Sequence, residues 1–286
     1  MQKGTASVFD SPQVQLLMRL PLPRSFANYV GREVFRFLLT VRGLGAFALI
    51  TLGVMLAKFG AARQVVHPLV LCETARAGLS VLPMFMLLSA ALGLLVVGHA
   101  IMWLTTVGAI NYLGAIMVMV VVRELGPLIC ALLVLARSGT ANVIELGTAR
   151  ALGEVEALEA LGIDPVHYLV VPRVVGMALG VFSLTVCLIL GTLVSGYFWA
   201  FLQDVALQPR AYFEQLAVSL TGLDFLLVGL KTLSFGFIIA IVTCYHGLAH
   251  PLHLEEVSRA AVRAVAQSVV AIALTEAAFI VFYLAG

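Results

Sequence analysis

The sequence predicts an all-α membrane protein with five transmembrane helices, a short interfacial helix ahead of them and an amphipathic helix in one loop. Three observations carry this. Of 286 residues, 62% are apolar and only 11% are charged, against about 25% charged in soluble globular domains. Residues 77–122 and 174–203 contain no Asp, Glu, Lys or Arg, and each run exceeds the ~20 apolar residues that a helix needs to cross a bilayer. The net charge of +2 is too small to point to a nucleic-acid partner, so the placement of charges matters more than their sum.

Apolar runs and their Gly, Pro and charge punctuation place spans near 78–103, 108–136, 172–200, 223–247 and 262–285. A further uncharged run, Gly43 to Ala57, lies between Arg42 and Lys58; it is short for a span and suits a helix lying in the interface. With that assignment Lys3, Arg19, Arg24, Arg32, Arg36, Arg42, Lys58, Arg63 and Arg76 share the cytoplasmic side with Arg137, Arg150, Arg173, Arg259 and Arg263. Only Arg210 remains outside, which is the positive-inside pattern. The expectation is a cytoplasmic N-terminus, an outer C-terminus, an N-terminal segment 1–76 and a five-span domain 77–286. The opening residues, with Asp10 and polar neighbours, lack the apolar core of a cleavable signal peptide. No internal repeat of the kind that builds many secondary transporters is visible.

Four charged residues fall inside the spans: Arg123 and Glu124 in the second, Lys231 in the fourth and Glu276 in the fifth. An isolated charge at mid-bilayer costs about 2.5–3.5 kcal/mol on insertion scales, so such residues face the bundle interior and pair. At ~1.5 Å rise per residue, Lys231 and Glu276 sit at similar depth, roughly 12–15 Å from the outer face, with Arg123 somewhat deeper. They form either a polar element of a substrate cavity or an ion pair that locks the helices. Small residues recur at Gly176-Met177-Ala178-Leu179-Gly180 and from Gly191 to Gly196, a spacing that suits close helix packing within the chain. Cys72, Cys130, Cys187 and Cys244 are scattered singly, without metal or redox spacing. His246, His250 and His253 have helical spacing, but Pro251 interrupts them, so an interfacial turn is expected rather than a metal site.

The 137–171 loop contains Leu146, Ala149, Leu152, Val155, Leu158 and Leu161 at three-residue intervals, with Arg150, Glu154, Glu156 and Glu159 on other faces. This pattern predicts an amphipathic helix over 145–161, stopped by Gly162 and Asp164-Pro165. Such a helix either lies on lipid or docks into a cytoplasmic partner; its acidic character disfavours the anionic inner leaflet. There is no phosphate-binding loop. The nearest string, Gly229-Leu230-Lys231-Thr232, lacks the glycine before lysine and sits in an apolar span, so ATP use requires another polypeptide.

The run RELGPLICALLVLARSG at 123–139, followed by ELGTARALGEVEALEALGIDPVHYLVVPRV at 145–174, resembles the signature of the MlaE/YrbE permease family. The lysine-bearing KTLSFGFIIAIVTCYHG and the last span are similar as well. The resemblance implies the transmembrane subunit of a bacterial ABC transporter that moves phospholipid between inner and outer membranes. It implies a homodimer in the inner membrane of a Gram-negative cell, with an elbow helix near 43–57. A cytoplasmic ATPase dimer, which binds the ATP and Mg, would engage the loop helix as a coupling helix through Glu145, Arg150, Leu152, Glu154, Val155, Leu158 and Glu159. A periplasmic hexamer of MCE-domain proteins and, in some systems, a STAS-domain protein complete the implied assembly. Phospholipid would occupy a cavity at the dimer interface near Arg123, Glu124, Lys231 and Glu276. No catalytic residue or cofactor is implied in this chain. The rival readings from the residues alone are an ion-coupled carrier in which Glu124 or Glu276 titrates, and a membrane scaffold or lipid-modifying enzyme without a transport cycle.

Overall fold

A computed structural model of the chain describes residues 26–58, 63–202, 209–248 and 254–285. Two compact units divide at Ala46/Phe47, whereas the sequence suggests a division at 76/77. Five helical paths are long and apolar enough to cross a membrane: His67–Val107, Ile110–Ala151, Val166–Leu202, Gly222–Leu248 and Leu254–Tyr283. Each covers all or nearly all of one expected span, and no strand occurs among the described residues. Ahead of them, the Phe26–Lys58 helix holds a shorter apolar stretch, Thr40–Leu56.

The paths overrun the expected spans because polar segments continue the same helices. Val107 is followed by a turn in which Gly108 takes φ +73° and the second path begins. That path does not end near 136. It passes through a π-helical turn, Leu135–Gly139, into the Thr140–Ala151 helix, so the first part of the loop is a rigid extension of a span.

The third span packs against the first and the fourth, and small residues set its separation from both. A Cβ on Gly176 would meet Glu73 and Thr74; on Gly180 it would meet Ala77, and on Gly196 it would meet Val97. On the opposite side Gly236 of the fourth span lies against the third, where a Cβ would stand 2.5 Å from Ala178 Cα. Between them sits one apolar core that includes Phe85, Val134, Leu184, Phe235 and Ile239. Several hydroxyls inside the bundle return to their own helices: Thr185 donates to the Val181 carbonyl, Thr232 to Val228 and Thr243 to Ile239, which satisfies those donors within an apolar layer.

The loop helix differs from expectation. In place of a single helix over 145–161 the chain forms Thr140–Ala151 and Glu154–Ala160, broken at Gly153. Gly153 has φ +78°, a left-handed conformation open to glycine and strained for other residues. Its N–H donates to the Arg150 carbonyl while that of Leu152 donates to Thr148, closing the first helix. At the far end Gly162, φ +76°, completes a Schellman stop in which the Ile163 N–H reaches the Leu158 carbonyl.

The third and fourth spans touch backbone to backbone at Gly236, so Gly236→Val must push them apart. Overpacking of this kind costs about 1–3 kcal/mol, and a fall in the thermal midpoint of the purified chain in detergent is expected; an unchanged midpoint would contradict the contact.

Candidate functional site

Lys231 is the most fully enclosed cation among the described residues, with no solvent exposure. Lys231 Nζ lies 2.9 Å from Glu276 Oε1 of the fifth span and 3.2 Å from Glu124 Oε2 of the second. Its third partner is the Arg123 carbonyl, 2.8 Å away. That carbonyl is available for a local reason. Pro127, one turn further on, has no N–H to return to it. The preceding residues Val118–Leu125 accordingly form a π-helical stretch, in which the Gly126 N–H bonds to the Val121 carbonyl. The ammonium thus meets two carboxylates and a backbone carbonyl that lacks its usual i+4 donor, which fills its three donor positions.

The sequence brings the same three ionisable groups together as the structure does, but the fourth, Arg123, finds a different partner. Its Nε is 2.8 Å from Asp224 Oδ1 and its Nη2 donates to Asp224 Oδ2 at 3.2 Å, a two-pronged pair. Its guanidinium also stands 5.2 Å from the centre of the Tyr283 ring. Asp224 is almost fully buried. It lies in the first turn of the fourth helix, where an acidic residue ordinarily reads as a capping group. It does serve as one: Oδ2 accepts the Thr221 N–H at 2.9 Å and the Thr221 hydroxyl at 2.8 Å. The Thr-x-x-Asp spacing was the available signal, and it does not reveal the second role. The expected balance of two cations and two anions therefore becomes two cations and three carboxylates.

Exposure is uneven across the cluster. Side-chain exposure is 0% at Lys231, 2% at Asp224 and 9% at Glu276, but 31% at Arg123 and 33% at Glu124. The interior partners are sealed, while the neighbouring Arg123 and Glu124 side chains on the second span are open to the outside of the bundle.

The residues expected to couple to a partner separate into inward and outward groups. Glu145 belongs to an internal network: its Oε2 accepts from Arg76 at 2.9 Å and from Arg173 at 3.1 Å. Val155 is buried, with 1% exposure. Arg150 pairs with Glu156 at 3.2 Å. Leu152 and Leu161 are exposed, as are Glu154 and Glu159. Leu158 is half-buried and lines an apolar groove of about 330 Å³ with Ala149, Leu161, Tyr168 and Leu169. The outward surface of this region is therefore Leu152, Leu161 and the groove, edged by Glu154 and Glu159.

His246 bonds to Gln267 at 2.7 Å; His250 and His253 lie outside the described residues. Cys130 and Cys244 are buried and Cys72 is exposed.

Two single variants and their combination test the Arg123–Asp224 pair. Breaking a buried pair from one side costs about 3–5 kcal/mol, less here because a third of Arg123 is open. Asp224→Ala and Arg123→Ala should each destabilise the chain, and the double variant should cost clearly less than the two together. Strict additivity in unfolding experiments would contradict the pairing.

The profile of the MlaE permease family matches residues 70–282. The chain is 26% identical over 258 residues to a probable ABC transporter permease protein of Rickettsia felis, covering 88% of this chain and 95% of that one. A probable ABC transporter permease protein of Synechocystis is 34% identical over 170 residues, 58% of this chain and 62% of its own. The chloroplast protein TRIGALACTOSYLDIACYLGLYCEROL 1 of Arabidopsis thaliana is 28% identical over 185 residues, 64% of this chain and 52% of its own. With its five apolar helices and a profile match across all of them, the chain belongs to the MlaE permease family.

Proposed function

We propose that this chain is the membrane subunit of an ABC-type transporter that moves phospholipid between the inner and outer membranes of a Gram-negative bacterium. The observation that carries the reading is that two adjacent charged side chains within the second apolar span, Arg123 and Glu124, are each about a third exposed. Charges there are costly against hydrocarbon, so the exposed side needs a polar cover. A second copy of the chain and a zwitterionic or anionic lipid headgroup supply one. Two copies would enclose a cavity in which the open side of Arg123 attracts the phosphate and that of Glu124 attracts an amine, with the sealed Lys231 and Glu276 holding Glu124 in place. Support for a lipid substrate also comes from the Arabidopsis relative, whose name contains trigalactosyldiacylglycerol.

Energy comes from a separate ATPase dimer that binds ATP and Mg. It docks on Leu152, Leu161 and the groove beside Leu158, with basic side chains meeting Glu154 and Glu159. Glu145 and Val155 act from inside, holding the Thr140–Ala151 and Glu154–Ala160 helices to the bundle. In this orientation the loop end and the N-terminus are cytoplasmic and the C-terminus is periplasmic, where an MCE-domain hexamer receives the lipid. A STAS-domain protein joins the ATPase in some assemblies.

Reconstitution tests this reading. Vesicles holding the full chain with its ATPase and MCE partners should transfer fluorescent phospholipid only with ATP, and Lys231→Ala should lower transfer at least tenfold. Transfer driven by a pH gradient without ATP would replace it with an ion-coupled carrier. Leu152→Glu and Leu161→Glu should abolish co-purification of the ATPase while leaving the thermal midpoint unchanged; retention of the ATPase by both would reject the docking face.

A further inference from the structure

At the opposite end of the bundle from Asp224, a second charged recess opens where the first, second and third spans meet. It encloses about 170 Å³. Glu73 and Arg76 come from the first span, Arg137 and Glu145 from the second, and Arg173 from the third. The arrangement of donors and acceptors is unbalanced. Arg76 Nη1 and Arg173 Nη2 both donate to one oxygen, Glu145 Oε2. Arg173 Nε lies 3.5 Å from Glu73 Oε1, and Arg76 stands 4.0 Å from the same atom.

Two guanidinium groups thus share the two carboxylates, and the third, Arg137, leaves the recess with one positive charge in excess. The excess is local. The Arg173 side chain is 11% exposed, and its Nη1 is buried without a hydrogen-bond acceptor among the described residues. Arg137 lines the same recess, is exposed, and forms no ion pair with any described residue. Ser138 and Asn142 add neutral polar groups to the wall.

We propose that this recess is a binding site for a singly charged phosphodiester, and that its ligand is the headgroup of a phospholipid in the cytoplasmic leaflet. Unsatisfied guanidinium donors in a fixed fork match phosphate oxygens better than any other common anion besides carboxylate. The net excess of one positive charge matches one phosphodiester. The recess is smaller than the ~300–1,000 Å³ of pockets that swallow whole ligands, so it admits a headgroup and excludes acyl chains. The chains have their own path. Ser80 lines the recess, and beside it on the same span Leu79, Met84 and Leu87 are exposed apolar side chains that face outward. Glu73 and Glu145 would then meet the amine of a zwitterionic headgroup.

The site is separate from the intramembrane cluster: Arg123 and Arg137 are fourteen positions apart on the second span, about 21 Å along a helix. It is placed where lipid would be loaded, and in that sense it rests on the lipid reading above. The two nonetheless fail separately. Binding that depends on Arg137 in a chain that shows no ATP-driven transfer removes the transport reading and keeps the site. ATP-driven transfer in a chain whose binding ignores Arg137 does the reverse.

The test uses the purified full-length chain in detergent, with dihexanoyl-phosphatidylglycerol, dihexanoylglycerol and inorganic phosphate as probes. Arg137 has no described ion-pair partner, so Arg137→Gln should fold as the parent does, which an unchanged thermal midpoint verifies. It is expected to weaken phosphatidylglycerol binding about tenfold, the scale of one lost charge-assisted contact. Arg137→Lys should stay within about threefold of the parent, since the charge is kept. Dihexanoylglycerol, which lacks the phosphate, should show no Arg137-dependent binding. Competition by millimolar phosphate would show that a free anion also enters the site; its failure to compete would assign the site to lipid alone, and both outcomes uphold a phosphate site. Equal phosphatidylglycerol affinity in the parent and Arg137→Gln, or Arg137-sensitive binding of dihexanoylglycerol, overturns the proposal.

Discussion

A lysine ammonium held in an apolar bundle is the constraint around which the membrane half of this protein is organised. Lys231 has no exposure at all, and burying an uncompensated ammonium is far more costly than any single packing contact. Its compensation is spread over three spans: Glu124 and the Arg123 carbonyl from the second, Glu276 from the fifth, and Lys231 itself from the fourth. None of these spans can shift along its axis without uncovering a charge. Pro127 contributes by what it lacks, because with no N–H to return it leaves the Arg123 carbonyl without its usual i+4 helical donor and freer to face the ammonium.

The same second span carries charge at both ends of the bundle. Arg123 and Glu124 join the cluster with the fourth and fifth spans, and Glu145 joins Arg76 and Arg173 of the first and third. Between them the helix is continuous, but it is π-helical at Val118–Leu125 and at Leu135–Gly139. Wide turns of this kind mark places where a helix accommodates an extra residue, and they concentrate at working sites. Each charged layer therefore borders a segment whose hydrogen-bond register is already irregular. In the proposed cycle, a push at Leu152 and Leu161 travels through the Thr140–Ala151 helix, and these two segments are where the span can change pitch without breaking.

How much was legible in the sequence depends on the range of the interaction. Apolar length identified the five spans, because the bilayer imposes it residue by residue. The association of Lys231 with Glu124 and Glu276 was also legible, since intramembrane charges at equal depth have few alternatives. Arg123 escaped because its partner, Asp224, sits at a helix start, where an acid has a sufficient local explanation in capping Thr221. The three-residue repeat from Leu146 to Leu161 suggested one amphipathic helix, but periodicity is blind to a glycine in the left-handed region. Gly153 turns the second half away, so Leu146 and Val155 enter the core while Leu152 and Leu161 face out. The partners of Glu145 were likewise hidden, because Arg76 and Arg173 are distant in sequence and only the fold brings them onto one of its oxygens.

The engagement of Glu145 by Arg76 and Arg173 changes how a partner must act on this loop. A docking helix whose whole face was free would transmit force by its own stiffness alone. Here the Glu154–Ala160 helix is only seven residues long and gains rigidity from what lies beneath it: Val155 in the core, Arg150 paired to Glu156, and the Thr140–Ala151 helix packed against the fourth and fifth spans. The fourth and fifth spans are those that hold Lys231 and Glu276. A displacement applied at the groove thus reaches the two spans that enclose the ammonium directly, through packed side chains, as well as along the second span. The loop and the intramembrane cluster are therefore linked by two physical routes that end on the same set of charges.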